Sequence, residues 1–94
     1  MSENSTIRLS NRFDFSQHKV FSGQCEEILA NNNLKQLDLD FSQVQYLDSS
    51  ALGMLVLLSK KAASRGVVVK LKGAQGTAKD ILDMANMQKL FVIE

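Results

Sequence analysis

The sequence predicts an α/β protein of one domain, residues 1–94, with a largely parallel four-stranded sheet and three helices. Three observations predict it. Short runs alternate apolar and polar residues with period two, longer stretches between them repeat with helical period, and the links are brief and contain no proline. Strict alternation of strand and helix across short links makes the strands parallel and the crossovers right-handed.

Each element has its own warrant. Ile7-Arg8-Leu9 begins an alternating segment that runs to Phe13 and reads as a half-buried strand. Ser16 is a candidate N-cap for a helix carrying Val20, Phe21, Cys25, Ile28 and Leu29 toward the core. Asn31-Asn32-Asn33 is its stop signal, because asparagine tolerates the left-handed conformation that ends helices. Leu37, Leu39 and Phe41 point one way from the next strand, and Asp38 and Asp40 the other. These two acids are expected to be solvated or salt-bridged. A connection from Ser42 to Leu47 leads into a helix over roughly 49–64, with Gly66 as its stop. Val67 to Lys72 is a strand rich in β-branched residues. Thr77 to Met87 forms a third helix, with Thr77 and Asp80 as a weak capping box, and Leu90 to Ile93 a last strand.

Composition narrows the function classes. Hydrophobic residues make up 45% and charged residues 22%, ordinary for a folded chain, and the net charge is +1. Basic residues are scattered, which argues against a nucleic-acid surface. No apolar run approaches the roughly 20 residues that span a bilayer, and no export signal is visible, so a cytoplasmic protein without direct membrane insertion is expected. The one cysteine, Cys25, reads as a small core residue, and His18 has no ligand-spaced partner, so no metal or cofactor is expected. Gly73-Ala74-Gln75-Gly76 precedes a helix but lacks the further glycine, lysine and hydroxyl of a phosphate-binding loop, and reads as a turn.

The polar cluster Asp48-Ser49-Ser50 stands directly before the most apolar helix. Capping is one explanation, at about 1 kcal/mol. A chemical switch is the other. At 100° per residue, Leu52, Leu55, Val56, Ser59, Ala62 and Ala63 form a broad face assigned to the sheet. Ser50, Met54, Leu57 and Lys61 form the opposite stripe, which places Ser50 in solvent beside two large apolar residues and turns Ser49 toward the sheet. Grouped exposed apolar residues suggest a docking surface. A phosphate on Ser50 would bring about −1.5 to −2 charge. The helix N-terminus tolerates it, whereas a partner packed over Met54 and Leu57 does not.

The stretch from Leu37 to Gly66 resembles the STAS domain of bacterial anti-sigma factor antagonists. An alternating strand leads through a short loop into Asp48-Ser49-Ser50-Ala51-Leu52-Gly53, similar to the Asp-Ser-Ser/Thr-Gly/Ala-Leu-Gly motif that opens a helix in that family. The earlier segment IRLSNRFDF and the later VVVKLKGAQGTAKDILDMANMQKLFVI follow the family layout. Nearly the whole chain is covered, with the ends shortened relative to the family: the first strand of its opening hairpin and its final helix are lacking. Less covered sheet edges favour weak self-association.

The resemblance implies a binding protein rather than an enzyme. It would sequester an anti-sigma factor, often itself a serine kinase, and release it when the second hydroxyl of the motif, Ser50, is phosphorylated; a serine phosphatase would restore binding. Asp14, Asp48 and Ser49 would surround the phosphosite, and Gly53 would permit close approach at the helix surface. Ala51, Met54, Leu57 and Lys61 are the expected partner-binding residues. Asn11 and Phe13 replace the family's turn glycine and following leucine. The alternative is a non-catalytic STAS subunit of a membrane lipid or anion transport complex.

Overall fold

A computed structural model describes residues 3–94. The segment expected as one strand divides into two: β1 (Asn4–Arg8) and β2 (Arg12–Phe13). Ser10 and Asn11 make the break. Ser10 Oγ donates to the Arg12 carbonyl at 3.0 Å, and the Asn11 carbonyl accepts from Gln45 N at 2.8 Å. The buried residues Ile7, Leu9 and Phe13 keep period two through the break, so the pattern alone cannot reveal that the chain changes partner there.

After a 3-10 turn at Phe15–Gln17, helix α1 spans His18–Leu29. Strands β3 (Gln36–Asp40) and β4 (Tyr46–Leu47) follow, then α2 (Ser49–Ser64), β5 (Val68–Lys72), α3 (Gly76–Met84) and β6 (Val92–Ile93). The main sheet has the order β1-β3-β5-β6, with every pairing parallel. Its register aligns Ile7, Leu39, Leu71 and Ile93 in one row. That row, with Leu37, Phe41 and Val69, packs against residues of all three helices in one buried cluster. Phe13 meets Phe21 and Phe41 edge-on, with ring centroids 5.0 and 6.1 Å apart.

The opposite face of the sheet is mainly polar, with Val68 and Val92 exposed among its charged pairs. Lys72 pairs with Asp38 at 3.2 Å, Arg8 with Asp40 at 3.6 Å and Lys70 with Glu94 at 3.7 Å. The two strand acids are therefore salt-bridged, as their alternation with Leu37 and Leu39 implies. A second, two-residue parallel ladder joins β2 to β4.

Several ends differ from expectation. Asp14, not Ser16, caps the start of the first helical segment by accepting from Ser16 N at 3.0 Å. Val20 is exposed on α1 instead of joining the core. The three asparagines end α1 without any left-handed residue; Asn31 Oδ1 instead accepts from Asn33 N at 3.0 Å. Asn86, at φ 59°, takes that conformation beyond α3, which ends at Met84 and leaves Met87 in a 3-10 turn. At the start of α3 no side chain caps, so the Thr77/Asp80 box is unused. Gly66 does end α2, at φ 70°. No described helix is long and apolar enough to cross a membrane.

Candidate functional site

The short ladder builds the site. Its register pairs Arg12 with Tyr46 and Phe13 with Leu47. Phe13 and Leu47 are buried, so by alternation Arg12 and Tyr46 face outward. One step further along the same parallel register, Asp14 stands beside Asp48. Both strands end there, and each acid caps the helical segment that its strand leads into. Asp14 holds the turn into α1, and Asp48 Oδ1 accepts from Ala51 N at 2.8 Å at the start of α2.

Asp14 is the more heavily engaged acid. Ser16 donates to its Oδ1 from both hydroxyl and amide, and Arg12 Nε donates to Oδ2 at 3.3 Å. The Ser16 hydroxyl, chiefly, holds the Asp14 carboxyl below its usual range; partial burial opposes it, and the Ser16 amide and Arg12 reinforce it.

The structure reverses the expected disposition of the two hydroxyls. Ser49 is exposed and Ser50 is half-buried. Two expected docking residues are also inside: Ala51 is fully buried and Met54 is only 5% exposed. The cause is α1. The buried set of α2 is Ala51, Met54, Leu55, Leu58 and Ala62, rolled from the predicted face by less than the ~100° between successive residues. Phe21 and Cys25 of α1 line a narrow crevice with Met54, Leu57 and Leu58, so a second helix covers the flank on which Met54 lies. Leu57 stays outward at 54% exposure. Lys61, half-exposed, reaches back to Glu26 of α1 at 3.7 Å. Ala63, assigned to the sheet, is exposed. Gly53 lies on the open surface, with no atom within 4 Å of where a Cβ would stand, so the helix backbone is bare there.

Two exposed aromatics at this rim were not anticipated. Phe15, 67% exposed, follows Asp14 and stacks on His18 with centroids 5.7 Å apart. Tyr46 is 47% exposed. Tyr46 was readable, because an inward Leu47 puts its neighbour outward; Phe15 carries no such periodic signal. Cys25 is buried, which pushes its thiol up to about 11, partly offset by Lys61.

The site is thus a helix N-terminus capped by one acid, with a second acid alongside and an arginine bound to it. Two serines lie in the first turn of α2. Among the described residues no side-chain hydrogen bond engages either hydroxyl, and Phe15, Tyr46 and Leu57 are each exposed apolar residues on the elements that enter or form α1, β4 and α2.

Comparisons with known proteins agree with this architecture. The family model described as "Mlab, STAS domain" matches residues 1–94. A STAS-domain containing protein of Pseudomonas aeruginosa strain UCBPP-PA14 is 34% identical over 88 residues, covering 94% of this chain and 85% of that protein. Among solved structures, a sulfate transporter family protein from Wolinella succinogenes superposes with TM-score 0.84 at 16% identity, covering 99% of this chain and 78% of that one. The anti-sigma factor antagonist SpoIIAA in its unphosphorylated form superposes with TM-score 0.76 at 13% identity, covering 100% and 82%. The phosphorylated form of SpoIIAA, from Bacillus, gives TM-score 0.74 at 12% identity, covering 100% and 86%.

Proposed function

Because the chain belongs to the STAS domain family, we propose that it is a non-catalytic, phosphorylation-switched antagonist of an anti-sigma factor. Unphosphorylated, it binds the anti-sigma factor through the rim of α2; phosphorylated on Ser50, it lets go. A serine kinase, which can be the anti-sigma factor itself, and a serine phosphatase set the balance in the cytoplasm.

One observation carries the reading. Asp48 caps α2, so neither serine is needed to hold the helix start, and the Ser50 hydroxyl remains chemically free. The surroundings supply the energetics. A helix N-terminus favours an anion by roughly 0.3–1 kcal/mol, enough for the fold to accept a phosphate. Seating that phosphate against an apolar partner surface costs several kcal/mol, and every ~1.4 kcal/mol is tenfold in affinity. The second effect is larger, so the complex yields and the fold survives. The docking surface is narrower than the sequence suggests: Leu57, Gly53 and Ser49 on α2, joined by Phe15 and Tyr46, with Met54 and Ala51 beneath it.

The reading is tested by substitution. Ser50→Asp is expected to abolish capture of the anti-sigma factor, and Ser50→Ala to bind it permanently. Equal binding by both variants refutes the switch. Ser49→Asp, on the exposed neighbour, distinguishes which hydroxyl matters.

A second reading is favoured by the likeness to the sulfate transporter family protein. On that reading the chain docks as a STAS subunit on a membrane transport complex, and the protein retained in a pull-down is a transporter component whose binding ignores Ser50.

A further inference from the structure

A phosphate at position 50 adds about −1.5 to −2 to a rim that already carries Asp14 and Asp48, each following the last residue of one of the paired strands. The helix N-terminus offsets only part of that, and Asp48 already occupies one of its amides. A nearby cation would offset more of it than water alone.

Arg12 is placed to do so. It lies two residues before Asp14 on the outward face of β2, and its side chain is 71% exposed. From strand geometry its Cα stands about 8 Å from that of Asp48, ~6.6 Å along the strand and ~4.8 Å across. Ser50 follows within the first turn of α2. Of the other cations, Arg8 pairs with Asp40, Lys61 with Glu26, and Lys72 with Asp38 and Glu94, while Lys19, exposed in the first turn of α1, lies on the helix and not on the β2–β4 ladder. Lys61 shares a flank with Ser50 but lies eleven residues on, about 16 Å along the helix.

Asp14 can also release Arg12 without losing its structural role. Its Oδ1 accepts the two Ser16 donors, which fix the cap, while Arg12 touches only Oδ2. The contact is a single one on an exposed side chain, the kind of pair worth little and readily exchanged. A dianionic phosphate offers the guanidinium two parallel hydrogen bonds instead of one.

We propose that Arg12 is the counter-ion of the phosphorylated state: it leaves Asp14 and clasps the Ser50 phosphate, tying the N-terminus of α2 to strand β2. This rests on Ser50 being the modified residue. The partner then meets a guanidinium–phosphate pair laid across the rim between Tyr46 and Leu57, so the surface is altered in shape as well as in charge.

The test uses the full chain with phosphoserine installed at position 50 during translation, compared with the same chain carrying Arg12→Gln or Arg12→Lys. The phosphate is titrated by phosphorus NMR, and the ring resonances of His18, beside Phe15, are followed in parallel so that the two titrations are separated. The second phosphate ionisation is expected lower in the wild-type chain than in Arg12→Gln by roughly half a pH unit, with Arg12→Lys between them. In the wild-type chain alone, the Arg12 Nε–H resonance should move as the phosphate loses its proton, a measurement that needs no variant. Identical ionisation in wild type and Arg12→Gln, or an Nε–H resonance that ignores the phosphate, overturns the proposal. Either result leaves the switch itself standing. A phosphorylated chain still held by its anti-sigma factor refutes the switch and leaves the Arg12 contact to be judged by its own titration.

Discussion

The two flanks of α2 have the same kind of sequence and opposite fates. Met54 and Leu57 are large, apolar and three residues apart, neighbours on one helical stripe. Met54 is closed over by Phe21 and Cys25 of α1, whereas Leu57, one step around, remains more than half exposed. The cover of α1 decides the matter, and Ser50, one turn before Met54, is half-buried. On the proposed reading, a phosphate at this position would reach water and a partner at once, while the covered flank keeps the helix anchored.

Substitutions at these two positions sharpen the contrast most. Met54→Ala removes packing between two helices and is expected to cost about 2–5 kcal/mol of stability, read from the urea midpoint. Leu57→Ala should stay within about 0.5 kcal/mol of wild type. Partner binding should invert the order: Leu57→Ala weakens it by about tenfold, while Met54→Ala, measured where the chain is folded, leaves it nearly unchanged. Comparable stability losses at both positions would erase the distinction between the flanks.

The next effect is smaller and concerns the helix start. Asp48→Ala removes the one side-chain cap of α2 and should cost about 1 kcal/mol, whereas Ser49→Ala and Ser50→Ala should each fall within about 0.5 kcal/mol. Thermal unfolding of the three variants decides it. A Ser50→Ala loss as large as that of Asp48→Ala would mean that the hydroxyl serves the fold and is not free for signalling.

On the covered flank, Cys25 gives an alkaline signature. Burial raises its thiol to about 11, so the fold favours the neutral form. Its contribution is complete below the unfolded thiol value of about 8.5 and disappears as pH rises toward the folded value, at about 1 kcal/mol per pH unit. The wild-type chain should therefore lose stability faster than Cys25→Ala between those limits. Parallel pH profiles for the two chains would show that the thiol titrates freely and that α1 does not seal this flank.

Much of the fold was legible from local pattern. Leu37, Leu39 and Phe41 against Asp38 and Asp40 gave both a strand and its two faces, and α2 runs from Ser49 to Ser64 as its flanking Asp48 and Gly66 imply. Quantities that depend on a second element were not. The roll of α2 is set by α1, whose position no residue of α2 encodes, so periodicity alone puts Ser50 and Met54 outside and Ser49 within. The β2–β4 ladder is only two residues long, too short for period two to announce it, yet it brings Asp14 to Asp48. Asparagine runs mark a helix end without saying which residue turns left-handed: the triplet after α1 does not, and the lone Asn86 does.

Asp14 provides the smallest and most local effect. Its carboxyl is held below the ordinary range, first by the Ser16 hydroxyl and then, against some desolvation, by the Ser16 amide and Arg12. A depressed carboxylate contributes stability that is complete above its unfolded value of about 3.9 and is lost as pH falls through the folded value. Ser16→Ala should move the Asp14 ionisation, followed by carbon-detected NMR, back toward the ordinary value. Arg12→Gln should move it less, because the guanidinium touches only Oδ2 while Ser16 grips Oδ1 twice. If Arg12→Gln produced the larger change, Arg12 would be the main support of that cap, and it could not be released to a phosphate without loosening the entry to α1.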